Sequence, residues 1–172
     1  MTARREQLLD LAEQVLEHEG LGGFGVNALA RAAGIKPPSI YKHFAGMADL
    51  QHALISRWFR RVADALDAAE PSISSFAAEY RAVALAAPQL YRLATDGPLD
   101  RAMLEPGAER AAMAATLRLF GEPSEREGID HHRSRLAWAA AHGLVSLEIA
   151  GRFPPGTDLD AAWRALAGAL SG

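Results

Sequence analysis

The stretch KPPSIYKHF, residues 36–44, sets a hydroxyl, a phenol, an ammonium and an imidazole directly after two consecutive prolines. The short hydroxyl of Ser39 can meet a base edge or a phosphate, and the rings of Pro37 and Pro38 offer apolar contact to a thymine methyl. Tyr41, Lys42 and His43 carry donors suited to phosphate oxygens. This is chemistry for holding a nucleic acid, not for breaking a bond. The chain contains no nucleophile–base motif, no HExxH, no Glu-x-x-His pair and no phosphate-cradling glycine loop. It has no cysteine, which excludes a disulfide framework, zinc–thiolate sites and cysteine nucleophiles together. Acids such as Glu79, Glu105 and Glu148 are scattered with no visible partner. His131 and His132 are adjacent, so on a helix they point about 100° apart and cannot share one ion comfortably. No cofactor or metal is called for.

The elements around the motif must present it. A proline disfavours the α conformation in the residue before it, so Lys36 and Pro37 are expected to be extended. Pro38 then fits the first turn of a following helix, where its missing N–H costs nothing. The pair marks the sharp start of a short helix over 38–44, with Ile40 and Phe44 pointing back into a core. Upstream, Leu8, Leu11, Ala12, Val15 and Leu16 share one face of a helix over 3–19, which GLGGFG stops. VNALARAAG (26–34) reads as a two-turn helix with Val26, Leu29, Ala30 and Ala33 inward and Gly34 as its stop. Three short helices with a tight turn at Gly34 describe a helix-turn-helix.

A fourth helix, about 48–69, has Leu50, Leu54, Trp58, Val62 and Leu66 on one face, and Pro71 ends it. Further helices are expected at 73–86, 88–95, 106–120, 129–151 and 158–170, broken at Pro88, GPLD (97–100), GEPSEREG (121–128) and RFPPGTD (152–158). No segment alternates polar and apolar residues long enough to insist on a strand, so the fold class is all-α. At 172 residues the chain can bury a core without staples. No apolar run approaches the ~18 residues of a membrane span, and the start, MTARREQLLDLAEQ, has no signal-peptide core. A cytoplasmic protein with no membrane partner is expected.

The formal net charge of -3 conceals an asymmetry. Residues 6–19 carry five acids and no Lys or Arg, whereas residues 20–61 carry six bases (Arg31, Lys36, Lys42, Arg57, Arg60, Arg61) against Asp49 alone. Positive charge is concentrated around the motif, where an anionic partner would dock. Arg57, Arg60 and Arg61 read as a solvated helix face.

The run VNALARAAGIKPPSIYKHFAGMADLQHAL (26–54) resembles the DNA-binding domain of the TetR family of transcriptional regulators. Ala33-Gly34, Ser39-Ile40-Tyr41, His43-Phe44 and Leu50 all fit that family's pattern in one frame. The resemblance implies an N-terminal helix-turn-helix domain (1–47) followed by a C-terminal helical ligand-binding and dimerisation domain (48–172). It assigns Asn27, Pro37, Pro38 and Ser39 to base or groove contacts on a double-stranded operator, and Tyr41, Lys42 and His43 to backbone contacts. Two positions depart from the pattern. Gly25 replaces a capping Thr or Ser, and Met47 replaces a lysine, so two phosphate contacts are absent. Their loss either lowers affinity or is offset by Arg4, Arg5 or Lys36.

The segment LAWAAAHGLVSLEIAGRF (136–153) resembles the C-terminal helix of one subgroup through Trp138, His142 and Gly143. Trp138 and His142 are four apart, on a face continued by Val145 and Ile149. That face is either plain core or an apolar pocket in which His142 is the polar anchor. Tyr91, Met103, Met113 and Phe120 are candidates for lining the same cavity around a small, largely apolar ligand. Ala140, Gly143, Leu147, Ala150 and Gly151 form a row that lets helices approach closely. With Leu159, Trp163, Leu166 and Leu170 they form either an interface with a second copy or packing within one chain. Helix-turn-helix dimers match two half-sites, which favours the homodimer. The expected function is a ligand-responsive repressor on a palindromic operator. The alternatives are a small helical ligand carrier or enzyme without DNA binding, and an interaction module that has kept the fold alone.

Overall fold

A computed structural model describes residues 3–120 and 132–171. These form nine α-helices and one 3-10 helix, with no strand among the described residues. The helices are α1 (Ala3–Gly23), α2 (Val26–Ala32), α3 (Pro37–Ile40), α4 (Met47–Ala68), α5 (Ile73–Ala86), α6 (Pro88–Thr95), α7 (Ala108–Leu119), α8 (His132–Ile149) and α9 (Leu159–Ser171), with the 3-10 turn at Arg101–Met103. The expected break at 121–128, the first residues of the expected helix 129–151, and His131 lie outside the described residues. Two compact units are present. One is drawn from the chain up to Trp58 together with Ala87–Ala108, and the other from Phe59–Ala86 and from Glu109 onward.

In the first unit, α1 breaks where expected. Gly20 has φ 69 and ψ 174, so the regular helix ends there and a single further turn runs to Gly23. Its buried face is Leu8, Leu9, Ala12, Val15 and Leu16, with Leu9 in the place expected of Leu11. Leu29 of α2, Ile40 and Phe44 flanking α3, and Leu50 and Leu54 of α4 are each at most 1% exposed. Truncating any one of these aliphatics to alanine costs about 2–5 kcal/mol, so this interior specifies the arrangement strongly. Residues 87–108 join it through Tyr91, whose ring meets Trp58 edge-on at 5.5 Å. Glu17 of α1 accepts from the amides of Gln89 (3.1 Å) and Leu90 (2.8 Å), capping the first turn of α6.

Arg57 does not sit on a solvated face. It bridges α4 to the acids of α1, at 3.1 Å from Glu6, 2.7 Å from Asp10 and 3.3 Å from Glu13. Burial works against its charge, but hydrogen bonds to Asp10 and Glu13 outweigh burial and its pKa is raised. The acid run of α1 is thus partly neutralised within this unit, with Arg31 on Glu19 at 2.8 Å adding to it.

In the second unit, Phe76 stacks on Tyr80 and meets Phe120 edge-on at 5.3 Å. Leu66, Ala84, Ala137, Ala141 and Val145 are fully buried. The C-terminal end of α4 is tied down by Arg118, which donates to the carbonyls of Leu66 and Ala69. A polar cluster joins α5, α8 and α9. Arg81 donates two parallel bonds to Glu148 (2.7 and 3.0 Å) and a third to Asp160. The Glu148 carboxylate also accepts from Trp163 Nε1 at 2.9 Å. Such a forked, charge-assisted arrangement fixes the angle between helices as well as their distance.

Asp160 carries a pH signature. The hydrogen bond from Arg81, reinforced by its charge, holds the Asp160 carboxyl below the ordinary aspartate range. A depressed carboxylate pKa adds stability that is present above the unfolded value and lost as pH falls through the folded one. Thermal unfolding of Asp160→Asn should therefore show a modestly lower Tm than wild type near neutrality. The two curves should converge as the pH drops below about 4.

Candidate nucleic-acid interface

The turn between α2 and α3 is a glycine C-cap. Gly34 takes φ 64, its N–H bonds the Arg31 carbonyl at 3.2 Å, and the Ile35 N–H bonds the Ala30 carbonyl at 3.0 Å. This paired pattern satisfies the last carbonyls of α2 and turns the chain sharply. Lys36 is extended, with φ -80 and ψ 145, as a residue before proline should be. Pro37 is not extended. It is the first helical residue and Pro38 the second, because a fixed φ near that of a helix suits both positions of a first turn. The helix is also shorter than expected. It ends at Ile40, and 41–43 continue as a hydrogen-bonded turn in which both His43 N–H (2.9 Å) and Phe44 N–H (3.1 Å) reach the Ile40 carbonyl.

Burial divides this segment by residue. Ile40 and Phe44 are 0% and 1% exposed and anchor it. Lys36, Pro38, Tyr41 and Lys42 are exposed, and Pro37, Ser39 and His43 are partly so. Tyr41 is 54% exposed, an unusual position for a phenol with so much apolar ring. Asn27 is exposed on the first turn of α2, the helix that α3 packs against. All eight residues singled out from the sequence are thus accessible to a partner within one compact unit.

The two departures from the family pattern have clear geometry. Gly25 caps α2 in an extended conformation without a side-chain bond, and a Cβ there would meet no atom within 4 Å. Met47 is the first residue of α4 and is partly exposed. Of the three bases that might stand in, Arg4 and Lys36 are exposed. Arg5 is turned inward, its Nε donating to the His43 carbonyl at 3.3 Å and its other nitrogens facing Asp49 and Glu105.

The six residues singled out for a pocket are divided between the two units. Tyr91 (1% exposed) and Met103 (39%) belong to the first unit. Met113, Phe120, Trp138 and His142 belong to the second. Phe120 is a core ring against Phe76, and Met113 is 54% exposed. Trp138 and His142 stack at 5.6 Å and 17° on a face beside the core stripe of α8, which is Ser134, Ala137, Ala141 and Val145. A groove of about 620 Å³ in the second unit lies instead between α5 and α9, lined by Ala78, Arg81, Leu85, Trp163 and Gly168 among others. Its charged residues, far apart in sequence, leave no periodic signal to find it by. Of the interface row, Leu147 is 46% exposed, Ala150 and Gly151 are exposed, and Ala140, Gly143, Leu159, Leu166 and Leu170 are partly buried. Trp163 is 5% exposed and occupied with Glu148 of its own chain.

Residues 8–54 match the bacterial regulatory proteins of the tetR family, and residues 73–170 match the tetracyclin repressor-like C-terminal domain. The chain belongs to the TetR family of transcriptional regulators. It is 30% identical over 158 residues to an uncharacterized HTH-type transcriptional regulator, Rv0681, of Mycobacterium tuberculosis, covering 86% of this chain and 71% of that one. A protein of unknown function from Rhodococcus sp. RHA1 superimposes with a TM-score of 0.78 at 28% identity, over 99% of this chain and 94% of that one. A TetR transcriptional regulator from the same organism shares the fold, with a TM-score of 0.64 at 20% identity over 98% and 95% of the two chains. As a TetR regulator, this protein is a DNA-binding one.

The Gly34 turn is testable apart from any partner. A Cβ at Gly34 would meet nothing within 4 Å, so a penalty on substitution comes from backbone conformation alone. Gly34→Ala should destabilise the protein by about 1–2 kcal/mol, and Gly34→Asn by less, as read from urea unfolding.

Proposed function

We propose that this TetR regulator is a homodimeric repressor that reads a palindromic operator with the 36–43 segment and releases it on binding a small, largely apolar ligand. The observation that carries the reading is the division of burial at α3. Ile40 and Phe44 are locked inside while the donors of the same turn face solvent. A recognition element needs this combination, because a few side chains must reach a groove from a rigid support. Asn27, Pro37, Pro38 and Ser39 contact bases or groove walls. Lys36, Tyr41, Lys42 and His43 contact the backbone. Binding energy here comes from recognition, and the protein is not an enzyme. A chromosomal operator places it in the cytoplasm; among the described residues no helix is long and apolar enough to cross a membrane.

Homodimerisation is supported by α8. Leu136, Ala140, Gly143, Leu147 and Ala150 recur at spacings of three and four, on the side away from Ser134, Ala137 and Ala141. Leu136 and Leu147 are 62% and 46% exposed in the single chain. A helix apolar on both sides is expected to be covered on both. With Leu159, Leu166 and Leu170 of α9 this row forms the interface, and Trp163 supports it from inside its own subunit. For the ligand, the half-exposed stack of Trp138 on His142 offers an aromatic wall with one polar group, and Met113 and Phe120 are the further candidates within the same unit. Screening a broad compound library for loss of operator binding tests this part. No ligand-dependent change across the library would refute ligand response while leaving the DNA reading intact.

Lys42→Ala should weaken binding to operator and scrambled duplex alike and reduce the slope of log K against log salt by about one. Fluorescence anisotropy across a salt series reads both. Leu147→Glu should leave helix content unchanged but shift sedimentation to the monomer, and operator affinity should fall with it.

A further inference from the structure

We propose that Glu105 is a positioning residue for the DNA-reading turn, acting through Arg5. The inference rests on the assignment of 36–43 as that turn. Arg5 lies at the centre of four contacts. Its Nε donates to the His43 carbonyl at 3.3 Å, one terminal nitrogen lies 3.5 Å from Asp49, and the other lies 3.5 Å from Glu105. Its guanidinium carbon stands 4.7 Å above the ring of Phe44. The side chains of Arg5 and Glu105 are only 19% and 17% exposed. Asp49 in turn accepts from the Ala45 N–H at 2.8 Å, so both sides of Phe44 are held.

The main chain of Glu105 is itself fixed. Its N–H donates to Ser56 Oγ at 2.9 Å, and that hydroxyl donates to the His52 carbonyl of α4 at 2.7 Å. The contact at the Glu105 carboxylate oxygen is an ion pair, and because a guanidinium is planar and rigid, attraction at one edge biases where the opposite edge points. The segment after the 3-10 turn, some sixty residues downstream, therefore bears through Arg5 on the His43 carbonyl at the end of the reading turn. Removing this acid should weaken DNA recognition, the opposite of what its charge predicts beside an anionic duplex.

The full-length protein is used to select a duplex from a random pool. Wild type, Tyr41→Ala, Glu105→Gln, Arg5→Gln and Asp96→Asn are then compared on the selected and a scrambled duplex across a KCl series. Asp96→Asn removes the same charge as Glu105→Gln, at an exposed site. Glu105→Gln should bind the selected duplex about five- to tenfold more weakly, a typical cost for a charge-assisted contact. Its scrambled-duplex affinity should match wild type, which also shows it to be folded, and Asp96→Asn should match wild type on both. Arg5→Gln should lose operator affinity with the salt slope kept, whereas loss of a phosphate contact would lower the slope by about one. Should Glu105→Gln prove unfolded by circular dichroism, the Arg5→Gln slope decides alone. Wild-type operator binding by both variants, or a slope reduced in Arg5→Gln, overturns the inference. If wild type enriches no sequence, or Tyr41→Ala binds normally, the DNA-reading assignment fails first, and this role with it.

Discussion

The burial of Ile40 and Phe44 is the contact on which the first unit depends, because α3 has only four residues. A single turn of helix has almost no stability of its own, since nucleation fixes several dihedrals for one hydrogen bond. Every other feature of the segment reduces that cost or shares it. The prolines remove conformations from the unfolded chain at positions where the native φ suits them. Gly34 turns the chain without strain, and the Ile40 carbonyl accepts two amides in succession. The exposed donors then need no internal partner, which leaves them available to an outside one.

Charge in the first unit follows the same logic. The acids of α1 would repel a duplex if left bare, but Arg57 gathers Glu6, Asp10 and Glu13, and Glu17 is committed to the amides of α6. The modest net charge of the chain is therefore a poor guide to its local field. The same pairs tie α1 to α4 and to α6. Ion pairs at this exposure contribute little stability singly, and their value lies in fixing register between helices that aliphatic contacts alone would let slide.

What was legible in the sequence follows from what leaves a local signal. The stripe Leu50, Leu54, Trp58, Val62 and Leu66 is buried throughout because a long amphipathic helix repeats its signal many times. Gly34 and the proline pair were legible because backbone constraints act on neighbours, although two prolines fit a first turn better than one extended and one helical. The roles of Arg5, Arg57, Arg81 and Glu148 were not legible. Their partners lie 15 to 100 residues away, and a long polar side chain carries no periodicity that names its partner. On α8 the core stripe is offset by one position from the Trp138–His142 face. A helix rich in alanine and apolar on several sides does not declare which side is inward.

Gly25 and Met47 bear on how such a regulator would discriminate. Non-specific affinity is almost wholly a matter of neutralised phosphates, whereas specific affinity adds contacts to base edges. Dropping two phosphate contacts lowers both, but takes a larger share from the non-specific one. With Arg5 turned inward, Arg4 and Lys36 are the exposed members of the three bases that could restore them. On the proposed reading, the reading turn gives up some total affinity, and the ratio by which an operator is told from other DNA is kept. That ratio depends on Asn27, Pro38 and Ser39 being held at a fixed height above the groove, and so on the rigidity that Ile40, Phe44 and Arg5 confer beneath them.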